Sequence, residues 1–307
     1  MGEYLLKAMG TVLGEAFTPG VLDAWTAAYN QLAGIMIGME KDMLKEAGDW
    51  TSWRDFYISD KVSEAEDVMS LYLKPKDGKP LPSYLPGQYV SLSTNVPDLH
   101  YSQPRQYSLS GKPEPDHYRV TVKKEPAATV GTHPGYLSTV LFDNKKVDDV
   151  VQVSYPRGDF VLDTSKTIDN PLVLISAGVG LTPMVSIVDT LLAKDHKAPI
   201  TWAHSTRNDR SQVFGQHLKH LKGLQNNVNI KLFNKQGDGE GYDFTGRMDL
   251  NKLDKKKDLH VGDETAKYFI CGPEGFMTDM QDKLVSYGVQ KEQTKLEIFG
   301  NALLAKQ

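Results

Sequence analysis

The chain has 307 residues, 40% hydrophobic and 24% charged, which is typical of a soluble globular protein of about two domains. Its net charge of −4 argues against nucleic acid as a main partner, and no apolar run reaches the roughly 20 residues of a membrane span. A single cysteine, Cys271, excludes an internal disulfide framework and any multi-cysteine zinc or iron–sulfur site. We therefore expect a cytoplasmic protein with no membrane partner and no protein-bound metal.

The first 47 residues predict two helices. Apolar residues recur every three or four positions between Leu5 and Leu13, which places them on one face of a short helix. Thr18 and Pro19 form a good N-cap and first turn for a longer helix, whose apolar stripe runs from Val21 to Met43 and which Gly48 ends. Two such helices cannot bury broad apolar faces against each other alone, so the faces need the rest of the chain, another copy or another partner.

Between Trp53 and Asp163 the pattern changes to short segments rich in β-branched and aromatic residues, separated by turn clusters. The expected strands include Val68–Leu73, Gln88–Leu92, Tyr118–Val122 and Val150–Val153. Several short strands at this spacing predict a small antiparallel β-barrel.

After Pro171 strands and helices alternate. The expected strands are Leu172–Ser176, Ile200–His204, Val228–Phe233, Lys267–Cys271 and Thr294–Phe299. The expected helices are one that ends near Leu192, followed by Val213–Leu221 and Gly275–Tyr287. This alternation predicts a doubly wound parallel α/β sheet. The fold class is therefore α/β multidomain, with a helical segment (1–47), a barrel (48–163) and an α/β domain (164–307).

The first motif that carries chemistry is Arg105-Gln106-Tyr107-Ser108, at the end of a barrel strand. Alone it is a weak signal, because an edge strand with an exposed arginine has the same appearance. Its neighbours in order are Pro86-Gly87-Gln88-Tyr89, Val122-Lys123, Gly135-Tyr136-Leu137-Ser138 and Gly158-Asp159-Phe160. An arginine can bind a phosphate bidentately, and the N–H groups of a helix that opens at Gly135 suit phosphate oxygens.

The second motif is Gly178-Val179-Gly180-Leu181-Thr182-Pro183, between the first α/β strand and its helix. Glycines at this place let the backbone approach a pyrophosphate, although Pro183 stands where a third glycine is usual and a tight turn is the simpler interpretation.

Two further segments near the C-terminus are candidates. Cys271-Gly272-Pro273 ends a strand, where a lone cysteine is most often an inert buried thiol. The tail Glu297-Ile298-Phe299 carries an aromatic residue that in most proteins belongs to the core. Ser205 and Arg207 follow the second α/β strand, where they fit either a phosphate site or an ordinary polar turn.

The order of these motifs resembles the ferredoxin–NADP⁺ reductase superfamily, and the first 47 residues resemble the last two globin helices of a flavohaemoglobin. The resemblance implies that Arg105 pairs with the FAD pyrophosphate, Tyr107 lies against the isoalloxazine and Ser108 hydrogen-bonds near N5. It also implies that Cys271 and Thr182 lie at the nicotinamide, Phe299 covers the flavin and Glu297 lies near the ring edge. The implied catalytic residues are Tyr107, Ser108, Cys271, Glu297 and Phe299. The implied cofactor-binding residues are Tyr89, Arg105, Gln106, Tyr107, Ser108, Lys123, Gly135, Leu137, Ser138, Gly178, Gly180, Thr182, Pro183, Ser205, Arg207, Cys271, Gly272, Pro273 and Phe299.

Flavohaemoglobins are NAD(P)H-dependent nitric oxide dioxygenases, in which flavin passes electrons singly to a globin haem. The first histidine of this chain is His100, inside the predicted barrel, so the two helices offer no histidine to ligate iron. We therefore expect an FAD-dependent NAD(P)H oxidoreductase without haem of its own, which reduces a haem protein or a small-molecule acceptor. One alternative is a full nitric oxide dioxygenase whose N-terminal globin helices are missing from this sequence. Another is a non-catalytic interaction protein that uses the helical pair.

Overall fold

The computed structural model describes residues 2–97, 99–127, 134–164, 169–224, 227–237 and 241–299. They form two compact units that divide between Trp53 and Arg54. The first unit contains helices α1 (Gly2–Leu13) and α2 (Pro19–Ala47), joined through a short 3₁₀ turn. The hydroxyl of Thr18 accepts a 3.4 Å hydrogen bond from the Val21 amide, and Gly48 ends α2 at φ 57°. The predicted helices and both of their end signals are confirmed.

The apolar faces of this helical unit remain open. No residue of α1 is buried. The exposed large apolar side chains of the unit are Tyr4, Leu5, Val12, Leu13, Leu22, Trp25, Leu32, Ile35, Met36, Ile37 and Met39. This agrees with the expectation that two helices alone cannot cover such faces.

The second unit begins with an antiparallel barrel. Its strands are β1 (Arg54–Ala65), β2 (Val68–Pro75), β3 (Tyr89–Ser93), β4 (Arg105–Ser108), β5 (Tyr118–Lys123) and β6 (Val150–Val153). They are ordered β4-β3-β6-β1-β2-β5. Beyond β4, Leu109 pairs with Val120, and the amide of Ser110 donates to the carbonyl of Arg119 at 2.8 Å. These contacts join the two outer strands, so the predicted barrel is confirmed.

The longest strand, β1, is one that the sequence pattern did not single out. Its register against β2 shifts twice, once between Ile58 and Asp60 and once between Ser63 and Ala65. Each shift is an irregularity of the β-bulge type, which interrupts the alternation of apolar and polar residues on which strand prediction depends.

The other half of this unit is a parallel sheet. Its strands are β7 (Leu172–Ala177), β8 (Ile200–Thr206), β9 (Val228–Asn234), β10 (Phe244–Thr245), β11 (Lys267–Gly272) and β12 (Thr294–Ile298), in the order β10-β9-β8-β7-β11-β12. Helices α3 (Thr182–Ala193) and α4 (Gly215–Gly223) share one hydrophobic cluster, whereas α5 (Glu274–Ser286) contributes to a second cluster. Strand residues alternate between the two clusters, for example Leu174 and Ile175, so helices cover both faces as the doubly wound prediction requires.

Three details of this half differ from the prediction. Helix α4 begins at Gly215 rather than Val213, because Phe214 has a left-handed φ of 52° that no α-helix accommodates. The two-residue strand β10 was not predicted. Strand β12 ends at Ile298, and Phe299 then donates its amide to the carbonyl of Gly272 at 3.1 Å.

Candidate functional site

A cavity of about 440 Å³ lies where the barrel meets the edge of the parallel sheet. The barrel contributes Tyr89, Gln106 and residues 158–160, and strand β12 contributes Lys295, Leu296 and Glu297. Four of the motifs found in the sequence supply or adjoin its walls.

The barrel wall is built around Tyr89. In the β3–β4 ladder, Tyr89 lies opposite Ser108 and Val90 lies opposite Tyr107. Tyr89 also exchanges two backbone hydrogen bonds with Arg157, both of 2.8 Å. The next residue, Gly158, has φ +122°, and a Cβ there would lie 3.0 Å from the Tyr89 ring. Glycine at position 158 therefore leaves room for the Tyr89 ring to pack against the backbone beside the cavity.

The four residues of the Arg105–Ser108 motif differ in how far they are exposed to solvent. Arg105 and Gln106 are exposed, Tyr107 is half-buried and Ser108 is buried. The Arg105 guanidinium donates to the neighbouring carbonyl of Pro104 at 2.9 Å, and among the described residues it has no other hydrogen-bond partner. Burial raises the pKa of Tyr107 above its ordinary value, so its ring stays a neutral phenol. This set presents a cation, an amide and an aromatic surface to a ligand.

The glycine–serine motif lies elsewhere on the barrel. Gly135 caps a single helical turn (Tyr136–Thr139), and Ser138 donates its hydroxyl to the Gly135 carbonyl at 3.2 Å. Leu137 is buried, so its side chain belongs to the core and only its backbone can contact a ligand. Lys123, at the end of β5, lies 3.9 Å from Glu125, whose amide donates to the Ser138 hydroxyl at 3.3 Å.

The Gly178–Pro183 motif connects β7 to α3, as predicted. Gly178 has φ +54°, and residues 178–181 form one 3₁₀ turn. A Cβ on Gly180 would lie 2.5 Å from the Cys271 carbonyl oxygen, so only glycine fits between this loop and the end of β11. Pro183 lies in the first turn of α3, where its missing N–H is not needed. Thr182 is buried and donates its hydroxyl to the Val179 carbonyl at 3.0 Å, so in this structure it braces the loop.

Cys271 lies between Ser176 and Glu297 in the register of the parallel sheet. It is fully buried, and burial, followed by the charge of Glu297, raises the pKa of its thiol well above the ordinary value. Cys271 is therefore an uncharged thiol. The carbonyl of Gly272 accepts a hydrogen bond from the Phe299 amide. The Phe299 side chain is partly buried and packs against the hydrophobic cluster that α3 and α4 share. Pro273 follows as the N-cap of α5.

Ser205 and Arg207 lie at the carboxyl edge of the sheet, outside the cavity. Ser205 is half-buried and pairs in register with Ala177, the residue before the glycine loop. Arg207 is exposed, and among the described residues its side chain has no ion pair. Among the described residues, the side chains of Ser205 and Arg207 make no hydrogen bond or ion pair, whereas the Arg207 carbonyl accepts the Gln236 amide at 3.0 Å.

Sequence reasoning assigned no role to Leu296 or to two charged residues of the cavity, Asp159 and Lys295. Lys295 donates to the Val161 carbonyl at 2.8 Å, which connects β12 to the barrel. Asp159 was visible in the Gly158-Asp159-Phe160 segment, but only its place in the order of motifs was used. No group of three or more metal-ligating side chains occurs in the described ranges, and no helix there is long and apolar enough to cross a membrane.

Comparison with known proteins gives concordant results. Residues 174–282 match the model of the oxidoreductase NAD-binding domain. The whole chain aligns with the flavohemoprotein of Rhizobium meliloti (strain 1021) at 38% identity and spans 76% of that relative. A flavohemoglobin structure from Malassezia yamatoensis, with bound FAD and heme, superposes with a TM-score of 0.81 at 30% identity, covering 97% of this chain and 73% of the other. The FAD/NAD binding domain of nitric oxide dioxygenase from Vibrio cholerae gives a TM-score of 0.71 at 33% identity and covers 81% of this chain and 99% of its own.

Proposed function

The chain belongs to the flavohemoprotein family, and from that premise we propose that it is an FAD-dependent NAD(P)H oxidoreductase of the flavohaemoglobin type. The observation that carries the proposal is the cavity between the barrel and the sheet edge. Its barrel wall contains Tyr89, which pairs with Ser108, and its other wall is β12, the strand that pairs with Cys271. Two ligands that exchange a hydride have to meet in such a place, each held by its own half of the unit.

The barrel fits FAD by the chemistry of its donors. Arg105 is an exposed planar cation suited to a pyrophosphate, and Tyr107 offers a neutral aromatic ring to a flavin. The Thr139 hydroxyl, next to Ser138, is buried and has no hydrogen-bond partner among the described residues. Tyr89, Gln106, Lys123, Gly135, Leu137 and Ser138 complete the proposed FAD site.

The sheet edge fits a nicotinamide nucleotide. A Cβ on Gly178 would meet nothing within 4 Å, so the loop backbone is open there, as a pyrophosphate requires, whereas Gly180 packs the loop against β11. Gly178, Thr182, Pro183, Gly272 and Pro273 shape this edge, and Ser205 and Arg207 stand where the adenosine ribose would end. We propose that residues 48–163 hold FAD and that residues 164–307 hold NAD(P)H.

When bound, FAD supplies the capacity to accept a hydride and to release its two electrons one at a time. The protein's own task is to position the two rings and exclude water. Phe299 would cover the flavin face, Ser108 would donate a hydrogen bond to the ring edge, and the uncharged Cys271 thiol would line the approach without adding a negative charge. A haem protein or a small molecule would serve as the electron acceptor. No histidine precedes His100, so α1 and α2 supply no imidazole to iron.

The test is a purified sample supplemented with FAD and hemin, then desalted. We expect flavin bands to be retained and either NADH or NADPH to be oxidised with ferricyanide as acceptor. A flavin-saturated sample that oxidises neither nucleotide contradicts the proposal. A Soret band that survives desalting shows that α1 and α2, or a dimer of them, still form a haem site, and contradicts the expectation that this chain holds no haem.

A further inference from the structure

One side of helix α2 carries an apolar stripe that lies open to solvent. Positions 32, 35, 36 and 39 have the spacing that places residues on one side of a helix, and positions 25 and 28 continue it towards the N-terminus. We call these six residues the α2 stripe: Trp25, Ala28, Leu32, Ile35, Met36 and Met39. All six are exposed, and the five large side chains keep between 46% (Trp25) and 61% (Met36) of their surface in contact with solvent.

Helix α1 packs beside the α2 stripe and does not cover it. The half-buried residues Thr26, Tyr29 and Ala33 follow a neighbouring side of α2. The Tyr29 ring lies so close to Gly2 of α1 that a Cβ on this glycine would clash with it. Helix α2 therefore has one side that α1 takes and a second apolar side that stays open. A helix that is apolar on more than one side has to be covered on each of them.

The chemistry and the size of the α2 stripe fit another apolar helix. Between Asp23 and Glu40 the sequence has no charged residue, so this part of α2 lacks the lysines and arginines with which an interfacial helix binds an anionic membrane. At about 150 Å² for a large side chain, the five large residues expose on the order of 400 Å² in one copy and about 800 Å² in two. A homodimer interface of about 1,200 Å², roughly 65% apolar, contains the same apolar area.

The α2 stripe is also complementary to itself. Trp25 and Met39 lie seven residues on either side of Leu32, and Ala28 and Met36 lie four residues on either side. If two α2 helices run antiparallel and cross at Leu32, Trp25 of each copy meets Met39 of the other. The small Ala28 then meets the longer Met36. A two-fold symmetric interface requires a surface that matches itself in this way.

The charges near the end of α2 favour the antiparallel orientation. Glu40 and Asp42 flank the α2 stripe at its C-terminal end, and Glu40 has no ion pair among the described residues. In the antiparallel pair these acids approach the first turn of α2 in the second copy, where the N–H groups carry a partial positive charge. In a parallel pair the acids of both copies would lie side by side and repel each other.

We propose that the α2 stripe is the interface through which two copies of this 307-residue chain associate, antiparallel and related by a two-fold axis at Leu32. Each copy contributes α1 and α2, so the two helical units together form a four-helix bundle. The interface involves no residue of the cavity. It therefore holds whether or not the second unit is an active reductase.

The first experiment measures the mass of the full chain by sedimentation equilibrium across the micromolar range, without added FAD. We expect the wild type to approach the mass of two chains as its concentration rises. Leu32→Glu places two negative charges at the symmetry axis and should stay a monomer at those concentrations. Ile37→Glu is the matched control, because Ile37 is 50% exposed on the opposite side of the same helix, and it should associate as the wild type does. Equal behaviour of the two variants, or a wild type that is a monomer throughout, refutes the interface.

The second experiment tests the register by oxidative cross-linking and does not depend on how Leu32→Glu folds. The only native cysteine, Cys271, is buried, so an introduced surface thiol is the reactive one. Leu32→Cys should form a disulfide-linked dimer, whereas Ile37→Cys should not. Met39→Cys should also stay uncross-linked, because 14 helical residues separate the two copies of this position by about 21 Å along the axis, far beyond disulfide reach. A cross-link through position 39 indicates a parallel pair and overturns the proposal. A monomer whose helices instead bind phosphatidylglycerol vesicles overturns it in favour of a membrane surface.

Discussion

A buried histidine of the parallel sheet allows a quantitative prediction of how stability depends on pH. His204 lies on β8 in register with Ser176 and is almost completely buried. Its Nδ1 lies 2.9 Å from the Ser176 hydroxyl, which also accepts a 3.0 Å hydrogen bond from the Trp202 indole. Its Nε2 is buried with no hydrogen-bond partner among the described residues. Burial lowers the pKa of His204 from 6.5 to about 4, and a hydrogen bond with the Ser176 backbone opposes this shift.

The sign and size of the effect follow from linkage. The folded pKa lies below the unfolded one, so between pH 6.5 and 4 the unfolded chain binds the proton and the folded chain does not. The contribution of His204 to stability is therefore largest above about pH 6.5 and decreases as the pH falls towards 4. Each pH unit within this window costs about 1.4 kcal/mol, so acidification from pH 7 to pH 5 costs about 2 kcal/mol from His204 alone.

The assay is urea unfolding of the full chain at pH 7 and pH 5, with wild type, His204→Gln and His220→Gln. Removing His204 should eliminate about 2 kcal/mol of the loss on acidification, whatever its effect on stability at pH 7. His220 is exposed, so its replacement should leave the pH dependence as in the wild type. Equal losses in wild type and His204→Gln would refute the argument, because His204 would then exchange protons with solvent in the folded state.

Three further predictions concern the proposed cofactor sites. Arg105→Ala should weaken FAD retention by about 2 kcal/mol, on the order of 30-fold, measured by flavin fluorescence titration, with Arg105→Lys recovering only part of the loss. Gly180→Ala should cost about 1–3 kcal/mol of stability and weaken nucleotide binding, because its Cβ would meet the Cys271 carbonyl at 2.5 Å. Gly223→Ala, where a Cβ meets nothing within 4 Å, is the control in thermal unfolding, and an equal cost in both variants would contradict this reasoning. Phe299→Ser should lower the KM for NAD(P)H about tenfold, since no aromatic ring then has to be displaced, and an unchanged KM would count against the covering role.

The sequence predicted the elements well where local pattern and tertiary structure agree. The central strands β7, β8 and β11 of the parallel sheet are buried on both faces and stand as short apolar runs, so their positions were clear, as was the loop that ends in Thr182 and Pro183. Prediction failed where a single backbone angle decides the outcome. Phe214 adopts φ 52° because tertiary contacts bury its side chain before α4 begins, and no residue-type pattern indicates that.

The candidate site was likewise predictable from the sequence only in part. Motifs located candidate ligand-binding residues, such as Arg105 and Gly180, through short-range sequence order. They could not show that Asp159 and Glu297 line one cavity, because these residues are 138 positions apart and belong to opposite walls. A carboxylate's chemistry depends on the charge and burial around it, and the charge of Asp159 on one wall raises the pKa of Glu297 on the other. Lys295 joins the two walls by donating to backbone carbonyls of the barrel. The cavity therefore owes its electrostatic character to the interface between its two halves, while each half alone carries a recognisable binding motif.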